Sequence, residues 1–139
     1  ASLYAWGRAV DRFGAAPVFR FTAWLSSALL VWLGAAGPSA SLVAMIAFFF
    51  AFVALASGFG VADTHVLFGL SPERDATPTL VIADVTANLA YGAAPFLVGI
   101  ALDRVISGGA DPIAAYRTLF VGAALVMAFS PLPLRRFRK

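Results

Sequence analysis

Four long apolar segments constrain the fold of this chain more than any other feature of its sequence. They cover residues 18–36, 41–62, 79–102 and 113–131 of a 139-residue chain. A helix that crosses a bilayer needs roughly 20 mostly apolar residues, so each segment is long enough to span a membrane once. Charged residues make up only 12% of the chain, against about 25% in soluble domains. The sequence therefore predicts an all-α integral membrane protein with four transmembrane helices.

The ends of these segments carry residues that start or stop helices. The first segment is followed by Gly37 and Pro38, the third is preceded by Pro78, and the fourth follows Asp111 and Pro112. Asp is a favoured N-cap residue and Pro a favoured first helical residue, whereas Gly is typical just after a helix. Because the connections are short, neighbouring helices are expected to be antiparallel. The whole chain is then one transmembrane domain, an antiparallel bundle.

Lys and Arg are distributed unevenly between the two sides of this bundle. Eight lie on one side and only Arg104 and Arg117 on the other. The positive-inside rule places the richer side in the cytoplasm, so both ends of the chain are expected to be cytoplasmic in a multi-pass protein of the cell (inner) membrane. The same placement, between and after apolar runs, argues against nucleic acid as a partner. The eight are Arg8, Arg12, Arg20, Arg74, Arg135, Arg136, Arg138 and Lys139.

One polar stretch, residues 7–14 (GRAVDRFG), precedes the first apolar segment. We interpret it as a cytoplasmic loop in which Gly7 allows another helix to approach closely and Gly14 permits a tight turn. Asp11 is suited to the positive end of a helix dipole, and Arg12 to a carboxylate or a phospholipid head group. Residues 99–104 (GIALDR) nearly repeat the pattern but fall on the opposite membrane face, so a different role is expected for them.

The stretch 7–14 resembles the cytoplasmic loop motif of the major facilitator superfamily, which recurs after the second and the eighth transmembrane helices. Ala15 and Ala16 depart from the motif, because the family often has basic residues there. The residues that match it are Gly7, Asp11, Arg12 and Gly14.

Two further stretches are similar to the same family. Residues 71–76 (SPERDA) look like its loop before the eleventh helix, and residues 94–104 (APFLVGIALDR) like the exit of that helix. The resemblance implies that residues 1–6 are the end of the eighth helix and that the apolar segments are the ninth to twelfth. The chain would then form part of the family's second six-helix bundle.

The resemblance also implies a function, which is secondary active transport of a small solute by alternating access. In such transporters two helix bundles rock around a substrate site near the membrane midplane, and the cytoplasmic loops act as latches between the bundles. The expected partners are the lipid bilayer, a small-molecule substrate and the missing N-terminal helices of the same transporter. The absence of an initiator Met agrees with the expectation of a C-terminal part.

The third apolar segment contains the one ionisable residue placed well inside a span, Asp84. Asn88 and Tyr91 follow at helical spacing, so the three residues are expected to form one polar stripe. Intramembrane carboxylates are costly and usually functional, which makes this stripe a candidate for a cavity lining and for proton coupling. The alternative is that Asp84 reaches interfacial water or pairs with Arg74.

Other classes of protein are less consistent with the sequence. An enzyme is not expected, because the acidic residues are scattered singly rather than clustered as a membrane-embedded active site requires. With no Cys and a single histidine, His65, neither a metal site nor a cofactor is expected. Asp63 and His65 fit a solvated interfacial position, or alternatively a gate or proton relay. A complete small four-helix membrane protein, either a structural subunit or a dimeric exporter, is the main alternative, although the first segment lacks the acidic residue of small exporters.

Overall fold

The computed structural model describes residues 2–37, 40–70 and 76–132. Four of the helices in these ranges, α2 to α5, have the length and mean hydropathy needed to cross a membrane. This indicates a membrane-embedded, all-α protein, in agreement with the prediction of four transmembrane helices. The helices of the described ranges are α1 (Ser2–Phe13), α2 (Ala15–Ala36), α3 (Leu42–Leu70), α4 (Ala76–Ser107) and α5 (Pro112–Phe129).

Two helix ends lie at the capping residues that the sequence identified. Gly37 follows α2 with a φ of +57°, and its N–H donates to the carbonyl oxygen of Leu33. Helix α5 begins at Pro112, and a carboxylate oxygen of Asp111 accepts a hydrogen bond from the N–H of Ala114 at 3.0 Å. Both predictions are confirmed.

The helices extend further than the apolar segments do. Residues 7–13, which we interpreted as a loop, are the second half of α1, and only Gly14 separates α1 from α2. Helix α3 continues from residue 62 to Leu70 through Asp63 and His65, and α4 exceeds residues 79–102 at both ends. Hydropathy marks the part of a helix that fits a hydrocarbon core, whereas main-chain hydrogen bonds continue through polar residues.

The chain divides into two compact units. The first contains α1, α2, most of α3 and most of α5, and it buries a small apolar core where α1, α2 and α3 meet. Val10, Val18, Phe19 and Ala62 form that core, and the ring centroids of Phe19 and Phe59 are 4.4 Å apart. Because lipid is as apolar as these side chains, close packing rather than water exclusion holds such helices together.

Helix α2 also packs against α5 within the first unit. The hydroxyl of Ser27 donates to the carbonyl oxygen of Ala124 at 2.8 Å. A Cβ added at Gly34 would lie 3.4 Å from the Cβ of Phe120, so the two backbones approach closely there. Small residues and hydrogen bonds between helices are the usual means by which membrane helices associate.

The second unit consists mainly of α4. No residue in the apolar window of α4 is buried inside the described part of the chain. The helix has one internal proline, Pro95. The surface of α4 is therefore not covered by the described part of the chain. The polar residues on one side of this helix are the first candidates for a functional site.

Candidate functional site

Asp84, Asn88 and Tyr91 lie on one side of α4. At 100° per residue their positions fall within a sector of about 60°. All three side chains are exposed, Tyr91 with 70% of its surface accessible. The structure thus places the predicted polar stripe on a single helix, where it forms a continuous polar face.

Pro95 belongs to the same side of α4, four residues after Tyr91, and was not part of the predicted site. Proline has no N–H, so the carbonyl oxygen of Tyr91 lacks its usual intrahelical donor. The polar face therefore includes a main-chain carbonyl that cannot accept a hydrogen bond from residue 95. The signal was available in the sequence, because the i to i+4 spacing of Tyr91 and Pro95 defines which carbonyl is freed.

The length of α4 indicates how deep in a bilayer the polar face would lie. Its 32 residues correspond to about 48 Å, which exceeds the roughly 30 Å of a hydrocarbon core. Tyr91 is at the midpoint of the helix, and Asp84 is about 11 Å from that midpoint. With α4 centred in a bilayer, Asp84 lies inside the hydrocarbon region and Tyr91 near the midplane.

A stripe of small residues runs beside the polar face. Ala83 and Ala87 are half-buried, and Ala90 and Ala94 are exposed. Stripes of this kind permit close approach of another helix. One side of α4 is thus suited to packing against another helix, and the adjoining side presents the polar groups.

The second group of predicted residues lies around the junction of α1 and α2. Gly14 has φ +87° and ψ 157°, a conformation that is essentially restricted to glycine. Asp11 and Arg12 are exposed in the last turn of α1. A cation there complements the negative end of the α1 dipole.

Within the described ranges a close helix approach is found at Gly58, and the approach expected at Gly7 stays a prediction. A Cβ added at Gly7 would meet no described atom within 4 Å, whereas one added at Gly58 of α3 would lie 2.6 Å from the indole of Trp6. That indole N–H donates to the carbonyl oxygen of Ala54 at 2.8 Å. Trp6 therefore anchors α1 on α3, a contact that sequence reasoning missed.

Helix α1 is strongly amphipathic. Its apolar side chains recur at three- and four-residue spacing, which is the pattern of one helix face, and Tyr4 and Gly7 lie on the polar face. This periodicity is the signal that could have identified residues 7–13 as helical. The apolar face comprises Leu3, Trp6, Ala9, Val10 and Phe13, and the charged side chains of the opposite face are Arg8, Asp11 and Arg12.

Several residues used in the sequence analysis lie outside the described ranges. They include Arg74, the suggested partner of Asp84, with the rest of residues 71–75. Pro38 and the basic residues Arg135, Arg136, Arg138 and Lys139 also lie outside these ranges. Asp63 is half-buried and His65 exposed near the end of α3. No family model matches the chain, and comparisons with curated proteins and with solved structures give no match.

Proposed function

We propose that this chain is the C-terminal part of a secondary active transporter of the major facilitator type, which moves a small solute by alternating access. In this proposal α2 to α5 are the ninth to twelfth helices and contribute to an antiparallel second bundle. Both ends of the chain face the cytoplasm of the cell (inner) membrane. The first bundle comes from the N-terminal helices of the same transporter.

The observation that carries the proposal is the polar face of α4. A carboxylate, an amide, a phenol and a carbonyl oxygen that lacks its i+4 donor follow one another along the mostly apolar helix α4. Their cost in lipid is avoided only if they face a water-filled cavity or other protein groups. Transporters bind their substrates near the midplane, often at helices whose backbone hydrogen bonding is interrupted. Tyr91 lies at the midpoint of α4, and Pro95 removes the usual donor to its carbonyl oxygen.

Within this proposal Asp84 is the proton-coupling group. A carboxylate that opens alternately to each side of the membrane takes up a proton on one side and releases it on the other. Asn88 and Tyr91 are then placed to hydrogen-bond the substrate, because each has both donor and acceptor capacity.

The junction of α1 and α2 is the cytoplasmic latch in this proposal. Gly14 sets a fixed bend between the two helices, and Asp11 and Arg12 project beside it. An exposed acid and an adjacent base can pair with groups of the first bundle in one state of the cycle and separate from them in the other.

Single-cysteine accessibility tests the central element of the proposal. The chain contains no cysteine, so a substituted one is its only thiol, and any cysteines in the N-terminal helices of the full-length protein are replaced by serine. In the full-length protein, Asn88→Cys is exposed to [2-(trimethylammonium)ethyl] methanethiosulfonate, a charged reagent that does not cross lipid. Ala90→Cys is the matched control, because it differs by about 3 Å in depth but lies about 200° around the helix.

We expect the thiol at residue 88 to react at least about tenfold faster than the thiol at residue 90. Alternating access further requires reaction from outside in intact cells and from the cytoplasmic side in inside-out vesicles. Equal rates at the two positions would refute a cavity lined by this face. Reaction from one side alone would refute transport and indicate an interfacial vestibule.

A further inference from the structure

Two open grooves meet along α1, and they differ in chemistry. They share Ala9 and Phe13, so they are directly adjacent. The first has a volume of about 510 Å³ and contains three charged side chains, Arg8, Asp11 and Arg12. The second, of about 330 Å³, lies between α1 and α2, and its lining residues within the described ranges are all apolar: Trp6, Ala9, Phe13, Pro17, Val18 and Phe21.

The two arginines of the first groove are available to a ligand. The guanidinium of Arg8 lies over the ring of Tyr4 at 5.8 Å, and that of Arg12 over the ring of Phe13 at 5.3 Å. Among the described residues, neither is paired with a carboxylate. With Asp11 included, the groove has one net positive charge. Arg8 and Arg12 are one helical turn apart, so both can reach a single anionic group.

The apolar groove remains open although aromatic side chains surround it. Phe13 is 62% exposed and Phe21 56% exposed, and the ring of Trp6 lies 6.5 Å from that of Phe21. A hydrocarbon chain fits such a surface, whereas a free phosphate or an acidic peptide would use the arginines and leave the aromatic residues uncovered.

We propose that the two grooves together bind one anionic phospholipid. Its phosphate lies between Arg8 and Arg12, because guanidinium groups match phosphate oxygens in geometry and charge. One acyl chain lies along the apolar groove between α1 and α2. Helix α1 thus acts as an amphipathic helix of the membrane surface, which such helices bind through their apolar face and their basic residues together. This site depends on membrane insertion but not on transport.

Quenching of Trp6 by brominated lipid tests the proposal at the groove itself. The chain has three tryptophans, so Trp24→Phe with Trp32→Phe leaves the indole of Trp6 as the only one. The full chain is reconstituted in phosphatidylcholine containing increasing fractions of dibrominated phosphatidylglycerol, and separately in dibrominated phosphatidylcholine with the same chains. We expect phosphatidylglycerol to quench at lower mole fraction than phosphatidylcholine, since only its head group has a net negative charge.

Substitutions then assign the preference to named residues. Arg8→Gln with Arg12→Gln is expected to lower the affinity for phosphatidylglycerol relative to phosphatidylcholine about 30-fold. The estimate takes about 1 kcal/mol for each basic residue at an anionic surface. Arg8→Lys with Arg12→Lys keeps the charges and should keep most of the preference. Arg104→Gln removes one charge in the last turn of α4 and should have no effect.

Three results would overturn the proposal. Equal quenching by the two lipids would exclude head-group recognition. If Arg104→Gln lowered the preference for phosphatidylglycerol as much as the Arg8→Gln, Arg12→Gln variant does, net charge alone would explain the preference. Displacement of the lipid by water-soluble glycerol phosphate at equal concentration would assign the site to a free phosphate. Native mass spectrometry of the chain with all three tryptophans retained gives a second measure, in which retained phosphatidylglycerol should decrease in the Arg8→Gln, Arg12→Gln variant.

Discussion

Replacing Gly58 with alanine tests how α1 is held on α3. The added Cβ would lie 2.6 Å from Cδ2 and Cε2 of Trp6 and 3.0 Å from Cγ2 of Thr22. Carbon atoms do not approach to 2.6 Å without strain, so the indole has to move. That movement breaks the hydrogen bond from the indole N–H to the carbonyl oxygen of Ala54 at 2.8 Å.

Three contributions define the size of the effect. Overpacking of a closely packed site costs about 1–3 kcal/mol, and the lost hydrogen bond adds about 0.5–1.5 kcal/mol. Alanine regains up to about 1 kcal/mol over glycine in a helix interior. The free energy of unfolding should therefore fall by about 0.5–4.5 kcal/mol in Gly58→Ala, with a central value of about 2.5 kcal/mol.

The measurement is unfolding of the chain by sodium dodecyl sulfate in dodecylmaltoside micelles, followed by far-ultraviolet circular dichroism. Gly60→Ala is the matched control, because it lies two residues away in α3 and a Cβ there meets no described atom within 4 Å. It should be neutral or stabilising by up to about 1 kcal/mol. In a Trp6→Ala background most of the cost of Gly58→Ala should vanish. Equal stability of the two glycine variants, or an undiminished cost without the indole, would refute this account of the contact.

Three further outcomes are expected. Under the proposed transport function, Asp84→Asn in the full-length protein should abolish accumulation of solute driven by a pH gradient while downhill exchange survives, as measured by radiolabelled flux in proteoliposomes; unchanged uphill transport would refute the coupling role of Asp84. Gly14→Ala should lower the free energy of unfolding by about 1–3 kcal/mol, because its φ of +87° strains any residue with a Cβ, and an unaltered midpoint in the same titration would contradict this. Asp111→Ala should remove the cap of α5 at a cost of about 1 kcal/mol, seen as roughly fivefold faster hydrogen exchange at Ala114 with unchanged exchange at the middle of α5; slowed or equal exchange at Ala114 would count against the cap.

The sequence alone determined the four helices that are long and apolar enough to cross a membrane, and two of their ends. Both depend on local properties, since a run of about 20 apolar residues is read within one segment. The caps at Gly37 and Asp111 likewise need only their immediate neighbours. The polar face of α4 was also predictable, because residues three and four apart share a helix face whatever surrounds the helix. Orientation, family and transport remain predictions from charge distribution and motif resemblance.

The helical state of residues 7–13 was missed although its signal is local. Arg8, Asp11 and Arg12 were read as loop residues, while the apolar spacing of Trp6, Val10 and Phe13 indicates an amphipathic helix. The charged residues indicated a loop, whereas the apolar periodicity indicated a helix. Periodicity is the better guide to helix formation.

Only the tertiary structure decided which glycine is a helix contact. Gly7 stands in the motif, but Gly58 meets the indole of Trp6, whose hydrogen-bond partner Ala54 is 48 residues away in sequence. The apolar groove at Phe13 likewise exists only because α1 and α2 lie against each other. A glycine or an aromatic residue has the same local properties wherever it occurs, and its role is fixed by which distant segment the fold brings against it.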